Sequence, residues 1–216
     1  MEAWAVNDAR PVMQFYASRT GNMRNLAAMR ARKWRLLVSR AWEWRTEGFP
    51  YALDNGAWAD YQSGQAFDED GFERLLDQLG AGADWVILPD IVAGGLESLR
   101  LSVRWLNRCL SVVPLALLAV QDGMKAADVH GLVGPNVGVF LGGSTEWKLA
   151  TMREWGEFCL QRNIYYHVGR VNTRRRMGLA VRSGANSVDG SSGSRYAITI
   201  PGLDHWSRQT ELRVDP

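Results

Sequence analysis

The sequence predicts an α/β fold, a small (β/α)8 barrel, on three observations. Short apolar runs alternate with segments of helical period along most of the chain. Eight such runs can be counted, and most of them stop on a carboxylate, an amide or glycine.

Taken in order, the strand candidates are "MQFYAS" (13–18), "RLLVS" (35–39), "YALDN" (51–55), "DWVILPD" (84–90), "PLALLAVQ" (114–121), "VGVFLGG" (137–143), "IYYHVG" (164–169) and "ANSVDG" (185–190). Each is a compact aliphatic or aromatic run bounded by turn residues, the pattern of a strand buried on both faces of a parallel sheet. Between them, helices are expected in 22–34, 68–81, 95–110, 145–163 and 173–184, where apolar residues recur at helical spacing. Residues 40–50 carry no such pattern, so the second and third strands are joined without a clear helix. The count of eight favours a closed, TIM-like barrel over an open sheet. One catalytic domain over residues 1–216 is expected, with tails at 1–11 and roughly 205–216 dispensable to it.

Composition narrows the functional classes. Apolar residues make up 46% and charged residues 22%, and no apolar run is long enough to span a bilayer. The N-terminus lacks a basic region followed by an apolar one, so a soluble, cytoplasmic protein without a membrane partner is expected. Cys109 and Cys159 sit in amphipathic helical segments and read as buried thiols. Without a CxxC pair or a Cys/His cluster, no structural metal site is expected.

The formal net charge of +2 does not announce a nucleic acid, but its distribution is uneven. From Phe158 to Val188 there is no Asp or Glu, while Arg162, Arg170, Arg174, Arg175, Arg176 and Arg182 are all present. Such a strip attracts phosphates, and it equally suits a solvated helix face.

In a parallel α/β fold the chemistry collects at the carboxyl ends of the strands. The ends here carry Asp54, Asp90, Gln121, Gly142-Gly143, His167 with Gly169, and Asp189. A single aspartate there often caps a helix or turn. Three aspartates at one mouth shift apart in pKa, which yields a nucleophile and a general acid/base from one residue type. Gln121 offers a donor and an acceptor, and the paired glycines let a flat ligand approach the backbone, a set suited to a purine-like base.

The motif order resembles the tRNA-guanine transglycosylases and their relatives that insert 7-deazaguanines into DNA. That family carries a DSGGFQ-like turn, an Asp after an apolar strand, a V-Q-G/D-G strand end, a Gly-Gly strand end and a G-x-D-x-x-D segment. This chain has "LDNGAW", "VILPD", "AVQDG", "FLGGS" and "VRSGANSVDGSSGSR" in the same order, over roughly residues 50–195. The resemblance implies Asp189 as nucleophile on the sugar C1′ and Asp54 as general acid/base. It implies Asp90, Gln121, Gly142 and Gly143 around the base, with no cofactor. Asn55-Gly56 would form a slim turn beside the scissile bond, with Trp58 or Tyr61 stacking on the nucleotide. Arg170, Arg174, Arg175, Arg176 and Arg195 would contact the nucleic acid.

Three departures qualify the match. The zinc-bearing C-terminal region of the tRNA enzymes is absent, the glutamine of DSGGFQ is unmatched, and Asn186 stands where the family commonly has an aspartate. These fit the compact, often phage-encoded DNA enzymes better, with DNA ahead of tRNA as partner. Extrusion of the target base, or single-stranded DNA, would expose C1′. The type of deazapurine, an accessory protein and homo-oligomerisation are left open.

Other readings stand beside this one. A nucleoside deoxyribosyltransferase or N-glycosidase would use Asp189 and Asp54 without needing the basic strip, and a binding barrel would need neither carboxylate. An aldolase or isomerase is disfavoured, since no lysine ends a strand. His167 reads as a core histidine, and His130 and His205 as loop residues. Trp34, Trp42, Trp44, Trp105, Trp147 and Trp155 read as packing residues. "SRTGNMRN" (18–25) either binds a phosphate or caps a helix, and Arg195 either anchors its loop or meets a phosphate.

Overall fold

The structure is a computed structural model, described here for residues 12–208. Eight parallel strands close into one barrel in sequence order: β1 (Gln14–Ser18), β2 (Arg35–Ser39), β3 (Tyr51–Asp54), β4 (Ala83–Ile87), β5 (Ala116–Val120), β6 (Val137–Leu141), β7 (Tyr166–Val168) and β8 (Ser187–Gly190). The last strand returns to the first, with Phe15 paired to Val188 and Tyr16 to Asp189.

A strand covered on both faces reads as a near-continuous apolar run, as β5 does, buried at every position. The inner face holds Tyr16, Ala52, Trp85, Ile87, Leu117 and Ala119. The outer face packs a larger core, including Leu36, Val86, Leu118 and Val139, against the helices. At the end where the strands begin, Asp84 closes the interior by pairing with Arg35 at 2.5 Å and accepting from the Tyr16 hydroxyl at 3.0 Å.

The helices are α1 (Met23–Ala31), α2 (Ala57–Ser63), α3 (Glu69–Leu79), α4 (Gly95–Leu110), α5 (Ala126–Val129), α6 (Thr145–Gln161), α7 (Arg174–Arg182), α8 (Ser192–Arg195) and α9 (Ile200–Ser207). Side-chain caps start several of them: Asn22 accepts from Arg24 N, Asp68 from Gly71 N, Ser144 from Trp147 N and Thr173 from Arg176 N. Each cap contributes about 1 kcal/mol by satisfying an orphan amide. The link from β2 to β3 has no helix. It is tied down by Arg19 to Glu43 and Glu47 and by the Trp44 indole to Arg40 O.

Several expectations are corrected. The C-terminal tail does not begin at residue 205, because α9 runs to Ser207, which is buried, and Trp206 packs on the core; residues 209–216 lie outside the described residues. His205 therefore lies in a helix, and His130 ends α5. Trp42 is 73% exposed, since the segment around it has no helical face to bury it. The tail at 1–11 lies outside the described residues. Cys109 and Cys159 are buried and unpaired, and burial pushes both thiols up to about 12. Among the described residues no helix is long and apolar enough to cross a membrane.

Candidate active site

All eight strands run the same way, so their carboxyl ends meet at one mouth. At the end of β3 the turn Asp54-Asn55-Gly56 is held from every side. Asp54 Oδ1 accepts from Gly56 N at 3.0 Å, and Gly56 has a left-handed φ of 81° that suits glycine. A Cβ there would meet the Arg40 guanidinium at 2.9 Å. That guanidinium donates to Asn55 O and pairs with Asp60 and Asp68. The slimness of the turn thus serves an arginine packed beneath it.

Asn55 is buried and turns its amide inward, donating to Leu88 O and to Asp90 Oδ1, both at 2.7 Å. Asp90 also accepts from Gln121 Nε2 at 2.6 Å. The second hydrogen of that amide goes to Ser98 Oγ at 3.1 Å, which also accepts from Ile91 N. Gln121 Oε1 is left buried with no protein partner. A buried amide oxygen without a donor is costly, so the site is one donor short of satisfaction.

Burial raises both Asp54 and Asp90. For Asp54 the hydrogen bond from Gly56 opposes the rise and the negative charge of Asp189 adds to it. Asp90 reaches about 6, opposed by Asn55 and assisted by the charge of Asp54. Asp54 therefore senses both other carboxylates, and the three aspartates form one electrostatic group.

Asp189, at the end of β8, is 8% exposed. Its Oδ1 accepts from Arg170 N at 2.9 Å, and its Oδ2 lies 3.1 Å from His167 Nε2. Burial lowers the pKa of His167, against the opposing pull of Asp189, so the ring is neutral near pH 7. A neutral ring facing a carboxylate carries its hydrogen on Nε2. Nδ1 then accepts from Ser187 Oγ at 2.7 Å, and Ser187 in turn accepts from the Tyr165 hydroxyl at 2.8 Å. His167 is a satisfied core histidine and a support for Asp189 at once.

The Gly142-Gly143 end of β6 is equally close-packed. Gly143 has φ 72°, and a Cβ on it would collide with Asp122 Oδ2 and the Trp147 ring. Its carbonyl accepts from the Arg170 guanidinium. The same guanidinium lies over the Trp58 ring at 4.8 Å, and Trp58 stacks on Tyr61 at 5.7 Å. Arg170 thus spans the mouth from the end of β6 to the helix after β3.

No protein-family model and no curated protein matches this sequence.

The structure gathers Asp54, Asn55, Asp90, Gln121, Gly142, Gly143, Asp189, Arg170 and Trp58 at or beside the mouth. The remaining basic residues lie in α7 and α8. Arg174 and Arg175 are exposed and Arg176 half-buried in the first turn of α7, with the Arg174 guanidinium resting on Gly202 of α9. Arg195 is exposed at the end of α8. Asn172 Oδ1 accepts from Ser191 N and Ser192 N, joining the loops after β7 and β8. In the segment 18–25 Asn22 caps α1, and the Asn25 amide donates to Gly193 O and Ser194 O. Among the described residues no cluster of three metal-ligating side chains occurs.

Sequence reasoning missed Arg40, Ser98 and Lys148. Lys148 is 5% exposed on α6, and a signal for it existed: Lys148, Met152, Trp155 and Cys159 fall at helical spacing on the buried face.

Proposed function

We propose that the protein is a base-exchanging glycosyltransferase, of the kind the motif order resembles, that replaces guanine in DNA with a 7-deazaguanine. The observation that carries this reading is the unsatisfied Gln121 Oε1 beside Asp90, under a mouth that also holds Asp54 and Asp189. Two acceptors side by side suit the N–H edge of a guanine-like base. The amide hydrogens of Gln121 are both engaged, so it offers the ligand an acceptor unless its amide turns over.

In the proposed reaction Asp189 attacks C1′ while the C1′–N9 bond breaks and N9 takes a proton from Asp54. The raised pKa of Asp54 favours the protonated form that such a step needs. The products are an aspartyl-deoxyribose ester and free guanine. The incoming base loses its N9 proton to Asp54 and attacks C1′, releasing the Asp189 carboxylate. Proton and bond counts return to their starting values, and no cofactor enters. Arg170, Arg174, Arg175, Arg176 and Arg195 are assigned to phosphates near the target.

The test is incorporation of radiolabelled guanine or 7-cyano-7-deazaguanine into duplex DNA, single-stranded DNA and tRNA, with Asp189→Ala as control. Label entering DNA with wild type alone supports the reading. Transfer only between free nucleosides would replace it with a deoxyribosyltransferase, and label entering only tRNA would move the partner from DNA.

A further inference from the structure

Lys148 is a buried cation that the proposed reaction leaves unused. It lies on α6, and its ammonium donates to the carbonyl of Gly169 at 2.6 Å. The nitrogen of the same peptide group, Arg170 N, donates to Asp189 Oδ1 at 2.9 Å. One rigid plane therefore has a lysine on its oxygen and the candidate nucleophile on its hydrogen.

We propose that Lys148 is the positioning residue for Asp189, acting through the peptide group between Gly169 and Arg170. The inference rests on reading Asp189 as the nucleophile. Two effects follow from the geometry. A charged donor on the carbonyl polarises the amide and strengthens the hydrogen bond that its N–H makes. The second effect is conformational. Arg170 has φ 59°, a left-handed backbone that arginine rarely adopts. Rotating the peptide plane by half a turn would return Arg170 to negative φ and point its N–H away from Asp189. The bond from Lys148 to Gly169 O opposes that rotation. Gly169 belongs to the same arrangement, since a Cβ there would meet the Phe140 ring at 2.6 Å and Asp189 Oδ2 at 3.4 Å.

The groups around Lys148 come from several elements: Asp189 on β8, His167 on β7, Arg170 in the following loop, Arg176 on α7 and Asp122 after β5. Burial lowers the ammonium to about 8, with Arg170 and Arg176 pulling the same way and Asp189 and Asp122 opposing. Loss of that proton weakens the donor, so the orientation of the peptide becomes dependent on pH just above neutrality.

The experiment uses the full 216-residue chain labelled with 15N. The backbone amide of Arg170 is followed from pH 6.5 to 9.5, in wild type and in Lys148→Met, which keeps the length and removes the donor. The expected result is an Arg170 amide that titrates with a midpoint near 8 in wild type and not in Lys148→Met. In the exchange assay the variant should lose roughly 100-fold in kcat, with KM for the free base within about 2-fold. Wild type is expected to decline in rate above pH 8 as Lys148 loses its proton, and the variant to lack that decline. A wild-type Arg170 amide that does not titrate in this range, or a Lys148→Met enzyme with unchanged kcat, overturns the proposal. A titrating amide in a protein that exchanges no base supports the peptide coupling and overturns the transferase reading instead.

Discussion

Asn55 donates to Asp90 Oδ1 at 2.7 Å, so the turn that ends β3 and the loop that follows β4 are one hydrogen-bonded unit. The same amide satisfies Leu88 O, and Asn55 Oδ1 accepts from Ala57 N. Replacing Asn55 by alanine strands a buried carbonyl and removes a donor from a buried carboxylate. Asn55→Ala should cost about 1–3 kcal/mol in urea unfolding at pH 7. It should also raise the Asp90 pKa further, since Asn55 is what opposes the rise.

Asp90 gives a pH dependence with a definite sign. Burial lifts its carboxyl from 3.8 to about 6. The folded protein therefore holds this proton more tightly than the unfolded chain. Its stabilising contribution is complete below about pH 4 and lost as pH rises through 6, on the order of 3 kcal/mol over that window. Asp90→Asn removes the titration, so its urea midpoint relative to wild type should climb between pH 4 and pH 7.5. An unchanged gap across that range would show that Asp90 titrates normally.

Asp54 and Asp189 should fail differently. Asp189→Asn is expected to abolish both base exchange and any covalent adduct with DNA. Asp54→Asn is expected to retain a trappable adduct, formed about 10²- to 10⁴-fold more slowly. Denaturing gels of protein incubated with labelled DNA separate the two outcomes.

Arg170 can be divided into backbone and side chain. Arg170→Gly keeps the N–H that reaches Asp189 and relieves a left-handed backbone that costs about 1 kcal/mol in a residue with a Cβ. It removes the guanidinium from Gly143 O and Trp58. If that guanidinium meets a phosphate, DNA affinity should fall and the slope of log K against log salt should shrink by roughly one. Binding isotherms at several salt concentrations read this directly.

What was legible in the sequence was whatever is local. The strand 35–39 is read correctly to both ends, because the aliphatic Leu36, Leu37 and Val38 are flanked by the polar Arg35 and Ser39. The polar strand ends are equally visible, and closure into a barrel brings them to one mouth. Relations across the barrel were not legible. Nothing near Arg40 announces Asp60 and Asp68 as partners, and nothing near Lys148 announces the carbonyl of Gly169. Nothing near Arg174 in sequence announces that its guanidinium lies against Gly202 of α9. Short helices such as α5, with four residues, carry too little period to be read at all.

The helix-free link between β2 and β3 also bears on how the barrel is assembled. Leu37 pairs with Ala52, a separation of 15 residues, whereas Leu53 pairs with Val86, a separation of 33. Closing the longer loop costs about 0.6 kcal/mol more in chain entropy for roughly each doubling of length. The β2–β3 pair is thus the cheapest seam to form from the unfolded chain, and also the one that seats Asp54 next to Ser39. Folding that begins at this seam lays down the wall carrying the candidate acid/base early and joins β1 to β8, which lie more than 170 residues apart at Gln14 and Ser187, last.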